Sequence, residues 1–416
     1  MFRFPQLLSA ALAIAITTNV ISALPNLASS AATIESRQAL QECQPVHASF
    51  NCDEAVALPS ERGLDFEAPA LAKRASVCNG DASLCSRLYS NVTYIGAHNS
   101  YALGTLQGAS SGKNQEQSVT QQLNDGIRLL QVQAHKSTNS TSGSAIDLCH
   151  SSCQLENGGT LESYLTEVKS WVDSNPNDVI TILIVNSDDQ PASSFATAFE
   201  STGLSSKAFA PSPGAAALAK NAWPSLGSMI DAGKTVVTFI DNSADVSSVP
   251  YILSHFQNTW ENPYNQISVP FNCTVDRINS GSSPTNMMYL VNHYLDSTFN
   301  LFGTNVFVPN TAQIATTNGY NSIMTDADNC ASMHGSSYPT YLLTDFYDQG
   351  NGSVFQAAAA MNRVAYVAKP IGNATKSSSS SSSSSSGSSS GALSSKISLS
   401  NVAAVVAGLA LASSLL

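Results

Sequence analysis

The sequence predicts an α/β fold built as a (β/α) barrel, and three observations lead to that prediction. Apolar strand-like runs alternate with amphipathic helical segments along residues 75–371. This span accommodates one barrel, which usually takes ~250 residues. A doubly wound sheet is the alternative, but the glycine-rich phosphate loop expected after its first strand does not occur here.

The elements follow one another in a regular order. YIGAH, ending at His98, predicts the first strand, SVTQQLNDG a short helix closed by Gly126, and IRLLQVQAH the second strand. IDLCH, ending at His150, predicts a further strand. The clearest helix follows a Gly-Gly turn, because apolar residues recur there every three or four positions: Leu161, Tyr164, Leu165, Val168, Trp171 and Val172.

The second half of the span repeats the alternation. VITILIVN is almost wholly apolar, as expected for a parallel strand covered on both faces. SLGSMIDAGK and TVVTFID then give a helix and a strand, and the late segments MMYLVNHYL and YPTYLLTDFYD predict two more strands. GSVFQAAAAMNRV predicts the last helix.

The two ends of the chain predict export and anchoring. Residues 1–23 have the basic start, apolar run and small final residue of a signal peptide. We expect residues 24–74 to form a disordered extension, and its last pair, Lys73-Arg74, fits either the processing site of a propeptide or a solvated basic pair.

The C-terminal part predicts a stalk and a lipid anchor. Residues 372–390 are rich in serine and cannot bury a core, so we expect an extended stalk. Residues 391–416 combine small residues, a polar spacer and an apolar tail, which is typical of a glycosylphosphatidylinositol (GPI) attachment signal that is removed. A single membrane helix is the alternative, but the tail is short for it. We therefore expect a cell-surface protein anchored to the plasma membrane or cell wall.

Cysteines, sequons and charge agree with a secreted glycoprotein. Of eight cysteines, the six after residue 75 allow 15 pairings, and proximity in sequence suggests Cys78–Cys85, Cys149–Cys153 and Cys273–Cys330. Five Asn-x-Ser/Thr sequons occur, at Asn91, Asn139, Asn272, Asn351 and Asn373. The formal net charge of −11 argues against nucleic acid and against electrostatic adhesion to anionic lipid.

Polar residues close many of the predicted strands, where the active site of a (β/α) barrel lies. They are His98, Asn99, Gln131, Gln133, His135, His150, Asn186, Asp241, His293 and Asp345. Alternation along the second strand places Gln131, Gln133 and His135 on one face, toward the barrel lumen. Three polar residues in a row are costly to bury without partners, which favours a site. Two histidines on different strands suit general acid–base catalysis.

These residues resemble the X-domain of phosphatidylinositol-specific phospholipase C and its secreted fungal relatives. The resemblance covers about residues 75–367 and rests on segments in family order: GAHNSY, QLNDGIRLL, LCH, TLESYLTEVKSWVDSNPNDVITILIVN and YLLTDFYDQG. It implies an irregular TIM-type barrel. It also implies that His98 is a general base for the inositol 2-hydroxyl, that His150 is the general acid for the departing alcohol, and that Asp345 orients His98.

The resemblance also implies a substrate- and phosphate-binding group of Asn99, Gln131, Gln133, His135 and Asn186. The chain departs from the family here, because Gln131, Gln133 and Asn186 are amides where relatives carry carboxylates or an arginine. Calcium sites are built with carboxylates, so we expect no metal and no other cofactor. His135 and Lys136 are the two candidates to replace the missing cation, and His135 is preferred because it shares the lumen face with the glutamines.

The sequence thus predicts a phosphoric diester hydrolase that cleaves a phosphoinositide or glycerophosphodiester-like substrate without a carboxylate calcium site. The alternative is a non-catalytic surface or wall protein on a degenerate barrel. The expected partners are a phosphodiester or phospholipid head group and, through the GPI anchor, the membrane; we expect no nucleic acid and a monomer. A serine hydrolase is disfavoured, because its GASSG match lies in a polar loop.

Overall fold

The computed structural model describes residues 74–106, 112–138, 145–150, 153–154, 156–212, 215–301 and 304–372. All of them belong to one unit of internal contacts. The predicted signal peptide, the extension up to Lys73, nearly all of the serine-rich stalk, the anchor signal and the sequons Asn139 and Asn373 lie outside the described residues.

The described residues form strands and helices in alternation over most of their length. The strands are β1 (Tyr94–Ala97), β2 (Leu129–Lys136), β3 (Ile146–Cys149), β4 (Asn157–Thr160), β5 (Ile180–Asn186), β6 (Val236–Ile240), β7 (Ile252–Ser254), β8 (Thr259–Glu261), β9 (Met288–Asn292), β10 (Asp296–Leu301), β11 (Thr304–Pro309) and β12 (Tyr341–Thr344). The α-helices are α1 (Val119–Asp125), α2 (Leu161–Ser174), α3 (Ala192–Ser201), α4 (Leu226–Asp231), α5 (His255–Asn258), α6 (Ile314–Thr317), α7 (Tyr320–Met333) and α8 (Ser353–Asn362).

Eight parallel strands form a curled sheet in the order β7-β6-β5-β2-β1-β12-β9-β8. The first and last of these strands in the chain, β1 and β12, lie side by side with Ala97 opposite Thr344. The short helix α5 connects the two edge strands, β7 and β8. The predicted α/β fold of irregular barrel type is confirmed.

Alternation along the strands separates two apolar cores. On β2, Leu130, Val132 and Ala134 pack into the core shared with helices α1, α2 and α3. Leu129 faces the other way, into the lumen core. Gly96 of β1 also faces this lumen, where a Cβ atom would approach Leu129 and Leu343 to 2.8 and 2.9 Å. A side chain at Gly96 would therefore displace the floor of the site described below.

Helix ends follow from local chemistry. Thr160 caps α2 by accepting a hydrogen bond from the Ser163 amide, and Ser118 caps α1 in the same way through Gln121. Gly126 ends α1 at a φ of +120°, a conformation that side-chain-bearing residues rarely adopt. β2 begins three residues after Gly126. The end of α1 therefore fixes the start of β2, the strand that carries Gln131 and Gln133.

One predicted strand has a different place in the fold. The IDLCH segment forms β3, which pairs antiparallel with β2 and then with β4, so it is not a barrel strand. Only residues 137–145 connect β2 to β3. A parallel partner would need a crossover of a dozen or more residues. The shorter connection therefore turns the chain back, and β3 pairs antiparallel with β2. The hairpin β10–β11 and helices α3 and α7 were also not predicted.

The three suggested disulfides are confirmed, with Cys78–Cys85, Cys149–Cys153 and Cys273–Cys330 all bonded. The sequon asparagines Asn91 and Asn272 are exposed. Within the described ranges, no helix has the length and apolar character to cross a membrane.

Candidate active site

His98 and Asp345 meet at the carboxyl ends of β1 and β12. Because Ala97 lies opposite Thr344, the next residue of each strand enters the same corner of the lumen. Their Nδ1 and Oδ1 atoms are 2.8 Å apart, and the side chains are 18% and 3% exposed. Tyr294 stacks on the imidazole with ring centroids 4.3 Å apart and planes 6° apart. The ring is thus fixed in position and plane, yet it remains accessible.

The hydrogen bonds assign the tautomer of His98. Nδ1–H donates to Asp345, which leaves the lone pair of Nε2 to accept. The Asn99 side-chain amide approaches Nε2 at a long 3.2 Å. A weakly held Nε2 beside a carboxylate-bound Nδ1 is the arrangement that a general base requires.

Asn114 completes this corner and was missed by the sequence analysis. Its Nδ2 donates to Asp345 Oδ1 at 2.9 Å, and its Oδ1 accepts from Asn99 Nδ2 at 3.1 Å. The neighbouring Gln115 donates to the backbone oxygens of His98 and Thr344, at 2.9 and 3.0 Å. These two residues come from the loop before α1. The sequence has no helical or strand-like periodicity there that would predict a contact with β12.

A row of amides extends from this corner along β2. Gln131 is 5% exposed and accepts a 2.6 Å hydrogen bond from the Asn99 backbone amide, which has a strained φ of +41°. Gln133 donates to Ser187 Oγ at 3.0 Å. His135 follows nearer the rim, with Nδ1 3.2 Å from Asp188 Oδ1. The predicted lumen-facing row is present in this order.

His150 reaches the site from the antiparallel strand β3. Its backbone amide donates to Glu156 O at 3.2 Å, and a Cβ atom placed on Gly112 would contact its ring at 3.4 Å. Burial lowers the pKa of His150 to about 4, the neighbouring His98 and His135 lower it further, and the Asp345 carboxylate opposes them. His150 therefore lies within electrostatic range of the pair and is neutral at pH 7 in the free protein.

Asn186 is not brought to this cluster. It lies opposite Ala134 of β2, on the face that packs against helices, whereas Gln133 lies opposite Val185. Its Nδ2 donates to Gln190 O and Asn242 Oδ1, and its Oδ1 accepts from the Gln190 amide, at 2.8 to 2.9 Å. These bonds shape the loop after β5, and a substrate role for Asn186 stays a prediction.

The other polar residues near the strand ends do not all contribute to the site. His293 is fully buried, bonded to Asp326 and to the Thr317 carbonyl, and does not enter the lumen mouth. Asp241, after β6, has its pKa raised by burial. Asp296, another residue that the sequence analysis missed, is buried near Asp345, and these two causes raise its pKa to about 8. A neutral carboxyl thus borders the site at pH 7.

The side chains in the family's metal positions do not fit a calcium ion. Asn99, Gln131 and Gln133 supply only uncharged amide oxygens. That of Gln131 already accepts from the Asn99 backbone amide, whereas Asn99 and Gln133 bond through their NH₂ groups, and Asn99 Oδ1 is buried without a partner among the described residues. Among the described residues, no group of three or more histidine, cysteine, aspartate or glutamate side chains has the spacing of a metal site. No catalytic step is therefore assigned to calcium here.

Two histidines, one of them bonded to an aspartate, thus lie near each other at the mouth of an irregular barrel. The model of the PI-PLC X family matches residues 84–362, and this chain belongs to that family. Two relatives come from Arthroderma benhamiae. An uncharacterized secreted protein is 40% identical over 310 residues, or 73% of this chain and 67% of the relative. PI-PLC X domain-containing protein 1 is 38% identical over 291 residues, or 69% and 89%.

Solved structures with a similar fold include two bacterial enzymes. Phosphatidylinositol-specific phospholipase C from Listeria monocytogenes is 14% identical, with a TM-score of 0.44 over 66% of this chain and 94% of that one. The phosphatidylinositol-specific phospholipase C of Staphylococcus aureus is 13% identical, with a TM-score of 0.42 over 66% and 94%.

Proposed function

We propose that this chain is a phospholipase C-like phosphodiesterase that cleaves a phosphoric diester by acid–base catalysis with two histidines. The observation that carries the proposal is the 2.8 Å His98–Asp345 pair, with His150 within electrostatic range of both residues. Membership of the PI-PLC X family supports the class of reaction.

In this mechanism, His98 is the base. Its Nε2 takes the proton of a hydroxyl on the substrate, and that oxygen attacks the phosphorus to give a cyclic phosphodiester. Asp345 accepts the Nδ1–H throughout and stabilises the imidazolium that forms. The Asn99 amide, 3.2 Å from Nε2, would move aside as the hydroxyl binds.

His150 is the acid that protonates the departing alcohol. Its pKa of about 4 leaves it neutral in the free protein. A bound phosphodiester anion favours the charged imidazolium, because an opposite charge nearby raises the pKa of a histidine. Substrate binding would thus let His150 take from solvent the proton that it then gives to the departing alcohol. His98 ends the step protonated and His150 neutral, and hydrolysis of the cyclic product reverses both states.

We further propose that the reaction needs no metal. The phosphate would be bound by the Gln131 and Gln133 amides and by a protonated His135. Asp188, which bonds to His135 Nδ1 and to the Lys136 amide, holds that imidazole toward the rim. A single cation replacing a metal or arginine implies a modest rate, since each preorganised donor at such a site contributes about 10²–10³-fold.

The substrate would be a phosphodiester with a polar head group, either a phosphoinositide or a glycerophosphodiester. We propose that the monomeric protein works at the cell surface, held to the membrane or wall by a GPI anchor. One relative is named as a secreted protein, which supports export. The anchor rests on the sequence pattern alone.

The second candidate is a non-catalytic surface protein, and one observation favours it. Asn99 hydrogen-bonds to Gln131, to Asn114 and to His98. Such hydrogen bonds would keep the site folded even in a protein that has lost the groups that bind phosphate and no longer turns over substrate.

An assay of the purified protein separates the two. We expect slow cleavage of phosphatidylinositol, a glycerophosphodiester or a GPI-linked substrate, both with and without chelator. His98→Ala should abolish it, and Lys207→Gln, a surface change, should not. Absence of turnover on all three substrates, with wild-type folding, would favour the non-catalytic candidate.

A further inference from the structure

A cavity of about 310 Å³ lies at the opposite end of the barrel from the histidines. Its walls come from residues 87–93, before β1, from residues 336–338, before β12, and from the end of α8. From Thr93 to His98 the chain advances five residues, or roughly 16 Å along a strand. A ligand held in this cavity therefore cannot reach the catalytic pair.

Two arginines, Arg87 and Arg363, line this cavity. Within the described part of the chain, neither guanidinium group takes part in an ion pair or a side-chain hydrogen bond. Hydrogen bonds from Ser83 and, more weakly, the charge of Arg87 lower the pKa of Asp81, and Asp328 accepts from the Tyr338 hydroxyl at 2.8 Å. Two like charges thus share one cavity in a chain whose net charge is −11.

The cavity is held in shape by buried hydrogen bonds. Asn362 accepts from the Thr93 amide and donates to the Thr93 carbonyl, both at 2.8 Å. Thr93 Oγ1 donates to Pro339 O at 2.7 Å. Arg363 follows directly after Asn362 with a left-handed φ of +52°. The wall that carries this arginine is therefore fixed before any ligand arrives.

We propose that this cavity binds a compact oxyanion, a sulfate or phosphate ester carried on a sugar or polyol. Guanidinium groups match the oxygens of such esters. The Ser336 and Ser337 residues in the wall can contribute hydroxyl groups. A cavity of about 310 Å³ equals roughly ten water volumes, which leaves room for a sugar ring beside the oxyanion.

Sulfate is the first probe, because its charge stays constant across the neutral pH range. Calorimetry is run on the full chain as secreted and again after deglycosylation, since the sequon residue Asn91 also lines the cavity. We expect saturable binding that varies little from about pH 6 to about pH 9, because arginine stays charged throughout. Arg87→Gln/Arg363→Gln should weaken it at least about tenfold, whereas Lys207→Gln and His150→Gln should not. Glucose 6-sulfate and glucose 6-phosphate, compared next, tell which ester is preferred.

Three outcomes would overturn the proposal. Sulfate binding that His150→Gln removes and the arginine pair does not would place the anion at the catalytic mouth. Arginine variants that lower the melting temperature but bind sulfate normally would show that Arg363 only supports the end of α8. Absence of sulfate and sugar-ester binding to the folded wild-type chain would leave the cavity without this ligand class.

Discussion

Two histidine–aspartate pairs in this fold have the same 2.8 Å separation but different surroundings. His98 bonds to Asp345 through Nδ1, while its Nε2 has only a 3.2 Å contact to Asn99. His293 bonds to Asp326 through Nδ1, but its Nε2 also donates to the Thr317 carbonyl, and the ring is fully buried. The distance between histidine and aspartate therefore does not distinguish the two histidines. They differ in whether the second ring nitrogen is available to exchange a proton with a substrate, as a general base requires.

The largest contrast comes from removing each histidine. His98→Ala should lower kcat by about 10²–10⁴-fold with a smaller loss of stability, because Asp345 keeps the hydrogen bond from Asn114. His293→Ala should instead destabilise the protein by about 3–5 kcal/mol, because it leaves the Asp326 carboxylate buried without its partner. Steady-state kinetics and denaturant unfolding measure the two effects. A stable, inactive His293→Ala protein would reverse the assignment.

Removing both histidines of the proposed mechanism, His98 and His150, should cost little more than removing one, because residues that act as a unit have non-additive effects on kcat. His150→Ala alone should therefore resemble His98→Ala, and the double variant should resemble both. Additive losses in kcat would mean that the two residues do not share one reaction step.

Replacing the aspartate of each pair should show the same difference between the two pairs, with smaller effects. Asp345→Asn should reduce kcat by about 10²-fold or more, because an amide cannot both hold the Nδ1–H tautomer and stabilise the imidazolium. KM should change little. Asp326→Asn is the matched control and should affect unfolding rather than kcat. Equal kcat in wild type and Asp345→Asn would remove Asp345 from the mechanism.

His150 predicts a pH-dependent stability. Its pKa falls from 6.5 to about 4 on folding, so the unfolded chain binds the proton more readily between these values. Stability should therefore decrease as pH falls from 6.5 toward about 4, by at most about 3 kcal/mol at about 1.36 kcal/mol per pH unit. His150→Gln should lack this component. Parallel unfolding curves for both proteins across that range would show that the ring is not desolvated.

His135 and metal independence give the smallest expected effect. His135→Gln should lower turnover about tenfold, with stability nearly unchanged, because glutamine keeps a hydrogen-bond donor and only the charge is lost. Chelator should leave wild-type activity unchanged. If chelator abolishes activity and calcium restores it, the metal-free account is wrong.

The sequence predicted the strand ends better than the loops. Closure of the barrel was enough to place Asp345 beside His98, and alternation placed Gln131, Gln133 and His135 on one face. Asn114 and Tyr294 could not be predicted, because loop conformation brings them to His98 from distant sequence positions.

Asn186 shows a limit of another kind. It ends a strand that is apolar on both faces, so no alternation distinguishes the lumen side from the helix side; the register with Ala134 decides it. β3 shows a third kind of limit. Its apolar, strand-like composition favoured a barrel strand, although the nine-residue connection from β2, visible in the sequence, is too short for a parallel crossover.

The most direct test of the central claim is ³¹P NMR of the reaction on phosphatidylinositol in the presence of chelator. The wild-type protein should produce the signal of a cyclic phosphodiester, and His98→Ala, folded and at equal concentration, should produce none. A cyclic product that forms equally fast with His98→Ala, or that forms only when calcium is supplied, would contradict the account.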